Sequence, residues 1–271
     1  MNVDAVLLAT GSVRIKRTRH GLMAYNINDL FVGRSLDCYG EYSRGESLLF
    51  AQLAQPGAVT IDVGANIGAL TLSLAQIVGP RGVVFAIEPQ RVIFQLLCTN
   101  IALNEIRNVR PIHAAAGRTA GRTFVPVSDY GKPGNFGATA LTDTSGESVI
   151  VMTIDSLELS ACQLIKIDVE GQEQSVIAGA AATITRFRPA LYVENDRRHQ
   201  SAELIRYIRD LDYSLYWHLP PYFNSENFFQ NSTNFFTSIV SVNMLCLHSG
   251  DKRKIVGMRP VTGPDDWPLS R

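Results

Sequence analysis

Cysteine, net charge and long apolar runs are scarce in this 271-residue chain, and each scarcity excludes a class of protein. The four cysteines, Cys38, Cys98, Cys162 and Cys246, show no CxxC or Cys/His spacing, so we expect neither a disulfide framework nor a zinc site. Basic and acidic residues balance at 25 each, which argues against the basic surface of a nucleic-acid-binding protein. No apolar stretch reaches bilayer length, so we expect a cytoplasmic protein without a membrane partner.

Residues 59–88 form the stretch around which the rest of the chain is organised. An apolar run at 59–63 leads into a glycine-rich turn and then into a helical pattern of apolar residues. A second apolar run at 83–87 ends in Glu88. Strand, turn, helix, strand and carboxylate in this order predict a βαβ nucleotide-binding unit.

The turn sequence DVGANIG, which starts at Asp62, has the features that close approach to a ligand requires. Gly64 and Gly68 allow positive φ angles and carry no Cβ, and Asn66 is a residue type that tolerates the left-handed region. Glu88 lies about twenty residues further on, where an acid can accept both ribose hydroxyls. These residues predict an adenosine-containing ligand. The acid before the turn resembles the first motif of class I S-adenosylmethionine (SAM)-dependent methyltransferases, which leaves NAD as the alternative.

Acidic residues also follow two later apolar runs. The run at 164–169 brings Asp168 and Glu170 to its end, and the run at 190–193 is followed by Glu194. In open α/β sheets the ligand crevice lies outside the carboxyl ends of the strands, so we expect these acids to face it. Asp168 could instead cap the following helix. Three acids could also gather Mg²⁺, which prefers oxygen ligands, although we do not favour a metal.

The remaining segments give a coarse organisation. A hairpin that turns at Gly21 and a helix at 46–55 precede the nucleotide unit. Two polar segments, 128–146 and 224–236, read as loops that shape a substrate pocket. We expect a single domain over 1–271, with an N-terminal hairpin and helix extension at 1–55, a catalytic core at 56–250 and an irregular tail at 251–271.

Several of these features coincide in one family. The chain resembles the FkbM-type SAM-dependent methyltransferases, and five short motifs carry the resemblance: YGEY at 39–42, DVGANIG at 62–68, EP at 88–89, IDVEG at 167–171 and NMLC at 243–246. The resemblance implies the Rossmann-like α/β fold of class I methyltransferases. Its sheet would have seven mostly parallel strands with one antiparallel edge strand, and helices would cover both faces.

The resemblance also implies roles for individual residues. Asp62, Gly64, Asn66 and Gly68 would hold the methionine part of SAM, and Glu88 would hold the ribose. Tyr39 and Glu41 would close over the cofactor, the adenine would lie near Ala115, and Asp168 would also touch the cofactor. A hydroxyl acceptor must lose its proton to a nearby base. The candidates for this catalytic work are Asp168, Glu170, Glu194 and His199, and the first three would be the ligands of any metal.

Together these observations predict a SAM-dependent O-methyltransferase that acts on a hydroxyl of a small molecule, usually a sugar or secondary metabolite. Two alternatives stay open. One is an NAD-dependent oxidoreductase of the same fold, and the other is an α/β module that binds SAM without catalysis. The acceptor's identity and the oligomeric state, a homo-oligomer included, are not fixed by the sequence.

Overall fold

The computed structural model describes residues 4–269 and divides them into fourteen strands and seven α-helices. The N-terminal elements are β1 (Val6–Thr10), β2 (Val13–Thr18), β3 (Gly21–Asn26), α1 (Val32–Tyr39) and α2 (Arg44–Leu53). The first half of the core contains β4 (Val59–Val63), α3 (Ala69–Val78), β5 (Val83–Ile87), α4 (Arg91–Leu103), β6 (Val109–Ile112), β7 (Ala115–Ala116), β8 (Gly121–Val125) and β9 (Glu147–Met152). The second half contains β10 (Leu164–Ile167), α5 (Glu173–Ala178), α6 (Ala181–Phe187), β11 (Ala190–Glu194), α7 (Arg198–Asp210), β12 (Tyr213–His218), β13 (Asn243–His248) and β14 (Arg259–Pro260).

The central sheet has eight strands in the order β14-β12-β13-β11-β10-β4-β5-β6. The five strands from β11 to β6 are parallel, as expected for apolar runs buried on both faces. The predicted Rossmann-like fold is therefore confirmed, with two corrections. The short β14 adds an eighth strand, antiparallel at the edge, and a second antiparallel strand, β13, lies inside the sheet because it pairs with both β11 and β12.

The chain reverses its direction of travel across the sheet between β4 and β10. From β4 it proceeds outward through β5 and β6, and it then returns to β10 and continues through β11. Ligands of open α/β sheets bind outside the strand ends at such a switch point. The fold therefore places the binding crevice where β4 and β10 end.

Strand register brings the acids of the sequence into one row. Val63 is aligned with Ile87 on one side and with Ile167 on the other, and Ile167 is aligned with Val193. The residues that follow these four positions therefore emerge together at one edge of the sheet. They are Gly64, Glu88, Asp168 and Glu194.

Helices cover both faces of the sheet, and alternate strand residues pack against each layer. On β11, Tyr192 belongs to the apolar cluster formed with α2, α3 and α4. Its neighbours Leu191 and Val193 belong to the cluster formed with α5, α6 and α7. This alternation is the period of two that a strand buried on both faces requires.

The N-terminal extension is a three-stranded sheet followed by two helices, because β1 pairs with the predicted hairpin of β2 and β3. The side chain of Asn100 on α4 fixes this sheet to the core, since it accepts from Ala24 N at 2.6 Å and donates to Ala24 O at 3.0 Å.

The tail is less irregular than predicted because β14 pairs with β12. The ends of these two segments, 1–3 and 270–271, lie outside the described residues. Within 4–269, no helix combines the length and apolarity needed to cross a membrane.

Candidate active site

A cleft opens at the carboxyl ends of β4, β5, β10 and β11. Residues at all four strand ends form its walls, together with residues of the loop at 135–141. Gly64, Asn66, Glu88 and Ala115 line one part of it, and Asp168, Glu170 and Glu194 line another. The structure thus brings seven of the predicted site residues to one surface.

The glycine turn after β4 is packed directly against the end of β10. Gly64 has a φ angle of 74°, and a Cβ at this position would overlap the carbonyl oxygen of Asp168. Asn66 also has a positive φ, 51°, and Gly68 (φ 89°) precedes the first residue of α3. Gly68 does not line the cleft, so its part is to let the chain turn into the helix.

Glu88 faces the cleft from the end of β5 and stabilises the turn beside it. Its Oε2 accepts from the backbone N–H of Asn66 at 2.9 Å, and its Oε1 accepts from Gln90 N at 2.8 Å. Burial raises the pKa of Glu88 to about 7, although these two N–H groups act in the opposite direction. Each carboxylate oxygen keeps a lone pair for a further donor, such as a ribose hydroxyl.

Asp62 lies beneath the cleft rather than in it. Its side chain is fully buried, accepts from Thr71 Oγ1 at 2.6 Å and lies 3.1 Å from Lys166 Nζ. Lys166 Nζ also donates to Gly64 O at 2.8 Å and lies 3.3 Å from Asp168 Oδ2. Burial would lower the pKa of Lys166, but the charges of Asp168 and Asp62 raise it well above its ordinary value. The Lys166 ammonium group therefore joins the cofactor turn to the acid at the end of β10.

The three predicted acids form a cluster at the ends of β10 and β11. Asp168, Glu170 and Glu194 can each offer one oxygen, and these oxygens lie within 4.8 Å of one another. Burial and the charge of Asp168 raise the pKa of Glu170 to about 7, and Arg197 forms an ion pair with Glu170. Burial and the same charge raise the pKa of Glu194 well above its ordinary value. Asp168 is the accessible member, with 38% of its side chain exposed.

Three further residues near the acids were missed by sequence reasoning. Tyr42 and Tyr222 line the cleft, with ring centroids 5.7 Å apart and hydroxyl oxygens 3.5 Å apart. Burial and the nearby charge of Asp168 raise the pKa of Glu46 on α2 to about 7, and Asn243 Nδ2 donates to Glu46 Oε1 at 3.1 Å. These residues come from distant parts of the chain. Only Tyr42, the second tyrosine of YGEY, belongs to a motif that the sequence made visible.

Two residues of the YGEY motif contact a loop instead of the cleft. The Tyr39 hydroxyl donates to Thr233 O at 3.0 Å and accepts from Phe235 N at 2.8 Å. Glu41 pairs with Arg19 and accepts from Asn224 Nδ2 at 2.8 Å. Both side chains are buried in these contacts, so the structure does not bring them to the cleft.

His199 and the two predicted loops differ in their relation to the cleft. His199 is exposed in the first turn of α7 and does not line the cleft. Loop residues 135–141 reach the cleft beside Asn66, and Gln90 Nε2 donates to Phe136 O at 2.7 Å to hold them there.

The loop at 224–236 packs instead on the N-terminal elements. Its cation–π contacts are Lys16 with Phe229 at 5.3 Å, Arg19 with Phe228 at 5.8 Å and Arg34 with Phe235 at 5.0 Å.

Sheet order, switch point and cleft together define a Rossmann-like α/β protein of the class I methyltransferase type. The model of the FkbM methyltransferase domain matches residues 62–215, more than half of the chain, and the chain therefore belongs to the FkbM methyltransferase family. No curated protein matches the chain in sequence.

Solved structures are similar to the chain only at low sequence identity, 19% or less in the three described next. A methyltransferase FkbM from Methylobacillus flagellatus KT has a TM-score of 0.48 and 19% identity, over 74% of this chain and 50% of that one. Precorrin-6y C5,15-methyltransferase from Geobacter metallireducens GS-15 has a TM-score of 0.48 and 14% identity, over 75% and 86%. TYW2 from M. jannaschii, in complex with AdoMet, has a TM-score of 0.45 and 14% identity, over 90% and 88%. The chain spans about half the length of the M. flagellatus protein, and these overlaps carry no argument about the methyl acceptor.

Proposed function

We propose that this protein transfers a methyl group from SAM to a hydroxyl group of a small molecule, with sugars and glycosylated secondary metabolites as the favoured acceptors. The observation that carries the proposal is the row of residues set by strand register. Glu88, Gly64, Asp168 and Glu194 follow aligned positions on four adjacent parallel strands and face one cleft. One cleft therefore offers both a nucleoside-binding carboxylate and acids that can act on a hydroxyl.

The cofactor half of the cleft fits SAM. Glu88 is a buried carboxylate with lone pairs left for ribose hydroxyls, and Gly64 and Asn66 expose backbone next to it. Ala114, Ala115 and Ala116, whose side chains are small, line the same cleft and are the proposed place of the adenine. When bound, SAM supplies an electrophilic methyl group on its sulfonium.

The acceptor half must remove a proton. A hydroxyl group held at the cleft can give its proton to Asp168, whose carboxylate is the accessible one and is held in place by Lys166 at 3.3 Å. Tyr42 and Tyr222 form the adjoining wall, which can position a ring and exclude water. The balanced charge of the chain favours a small acceptor over a nucleic acid.

Calorimetric titration with S-adenosylhomocysteine tests the cofactor half. We expect one site per chain, and Glu88→Ala should weaken binding by about 1–3 kcal/mol because the ribose loses its acceptor. Glu158→Gln, an exposed acid away from the cleft, is the control and should bind normally. Binding of NADH without S-adenosylhomocysteine would instead support an oxidoreductase.

An acceptor screen tests the catalytic half. Glycosides and other hydroxylated metabolites are incubated with SAM carrying a labelled methyl group, and the products are examined for base-stable methyl ethers. Asp168→Asn should lower turnover while leaving S-adenosylhomocysteine affinity within about threefold, because the acid acts on the acceptor. Cofactor binding without transfer to any hydroxyl would favour the non-catalytic module.

A further inference from the structure

Three carboxylates meet at the ends of two neighbouring strands with a spacing that suits a single ion. One oxygen each from Asp168, Glu170 and Glu194 lies within 4.8 Å of the other two. Two ligand oxygens at about 2.1 Å from an octahedral ion stand about 3.0 Å apart at a right angle and about 4.2 Å apart across the ion. Small side-chain rotations therefore bring these oxygens to coordination distance.

The cluster contains a carboxylate oxygen that no protein group satisfies. Glu194 Oε2 is shielded from solvent and has no hydrogen-bond donor within the described residues 4–269. The residue as a whole is partly buried and lines the cleft. A buried carboxylate oxygen without a donor is costly unless a cation or a proton accompanies it. Glu194 lies within hydrogen-bond reach of Asp168, so either a proton held between the two acids or a bound cation can compensate this oxygen, and the spacing of the three carboxylates favours the cation.

The two cations next to the cluster can accommodate an added ion because each has a second acidic partner. Lys166 lies 3.1 Å from Asp62 as well as 3.3 Å from Asp168. Arg197 lies 3.8 Å from Asp196 in addition to its pair with Glu170. Coordination of a metal by Asp168 and Glu170 would therefore leave neither Lys166 nor Arg197 without an acidic partner.

We propose that Asp168, Glu170 and Glu194 bind one divalent cation, Mg²⁺ or Mn²⁺. An all-oxygen ligand set selects such hard cations over zinc or copper. The three side chains also line the cleft, so coordination positions on the cleft side are accessible to water or to a hydroxyl oxygen. A hydroxyl bound to a divalent cation loses its proton more readily. The inference goes beyond the proposed function, since the cation can be measured without cofactor or acceptor.

Titration of the purified 271-residue chain with Mn²⁺, followed by the electron paramagnetic resonance signal of the free ion, tests the site. We expect one Mn²⁺ per chain with a Kd below about 1 mM, and Mg²⁺ should compete for it. Glu194→Gln and Asp168→Asn should each weaken binding by at least about tenfold. Glu158→Gln is the control, because Glu158 is an exposed acid that does not line the cleft.

Either of two results would overturn the inference. One is no loss of free Mn²⁺ signal up to about 10 mM with folded protein, and the other is equal affinity in Glu194→Gln and the unchanged protein. Glu170→Gln serves as a second variant if Glu194→Gln does not fold, as judged by circular dichroism. S-adenosylhomocysteine titration of the same preparation separates the two proposals: cation binding without cofactor binding would count against the methyltransferase proposal alone.

Discussion

A Cβ on Gly64 would stand inside the space of the Asp168 carbonyl oxygen, so the cofactor turn and the acidic strand end fit together only because residue 64 is glycine. Gly64→Ala must push the two apart and also hold alanine at a φ of 74°. We expect a loss of at least about 3 kcal/mol in unfolding free energy or, in a folded variant, loss of S-adenosylhomocysteine binding.

Gly57→Ala separates the cost of a positive φ angle from the cost of the overlap with Asp168. Gly57 also has a positive φ, 89°, but a Cβ there meets nothing within 4 Å. This variant should lose only about 1–2 kcal/mol, measured by urea unfolding. Equal losses in the two variants would show that the contact with Asp168 is unimportant.

S-adenosylhomocysteine affinity should rise with pH because of Glu88. Its pKa is raised to about 7 by burial, and only the ionised form offers both oxygens to ribose hydroxyls. Binding therefore favours the deprotonated group, and affinity should increase about tenfold between pH 6 and pH 8. Calorimetry at several pH values measures the slope, and Glu88→Gln should bind more weakly with a flat profile. The same slope in Glu88→Gln would assign the titration to another group.

Removal of the Lys166 ammonium should destabilise the core strongly. Lys166→Met leaves the fully buried Asp62 carboxylate without its cation, and breaking a buried pair in this way costs about 3–5 kcal/mol. The double variant Asp62→Asn with Lys166→Met should recover a large part of this loss in urea unfolding. Lys132→Met is the control, because its pair with Asp129 is exposed and should contribute less than about 1 kcal/mol. A double variant no more stable than Lys166→Met would refute the pairing account.

Glu41 should matter for the loop at 224–236 rather than for cofactor affinity. Glu41→Ala removes the acceptor for Asn224 Nδ2 and for Phe228 N, and it leaves Arg19 without its partner. We expect faster hydrogen exchange over 224–236 and S-adenosylhomocysteine affinity within about threefold of the unchanged protein. A large loss of affinity with unchanged exchange would restore the role implied by family resemblance, in which Glu41 closes over the cofactor.

The row of acids was accessible to sequence reasoning because parallel strands end at a common edge. The apolar runs at 59–63, 83–87, 164–169 and 190–193 were enough to predict that Glu88, Asp168 and Glu194 face one crevice. Glu46 had no comparable signal, since its place beside Lys166 depends on how α2 packs against the sheet. The position of β13 between β11 and β12 could not be predicted either, because an apolar run does not reveal which strands it pairs with.

The contacts of Tyr39 and Glu41 could not be predicted from the sequence for a different reason. The motif was visible, but a motif does not reveal which surface its side chains meet. Their partners lie in the loop at 224–236, nearly two hundred residues further along the chain. Long-range contacts of this kind follow from tertiary packing and leave no periodicity in either segment.

Phe31, Tyr42 and Tyr222 line the acid-bearing side of the cleft, and all three lie outside residues 62–215, which match the family model. Glu88 and the glycine turn lie inside it. Under the proposed function, methyl-donor recognition therefore rests on residues inside the family match, whereas one aromatic wall of the acceptor side comes from outside it. Exchange of the flanking stretches is then expected to change which acceptors are accepted without changing the methyl donor.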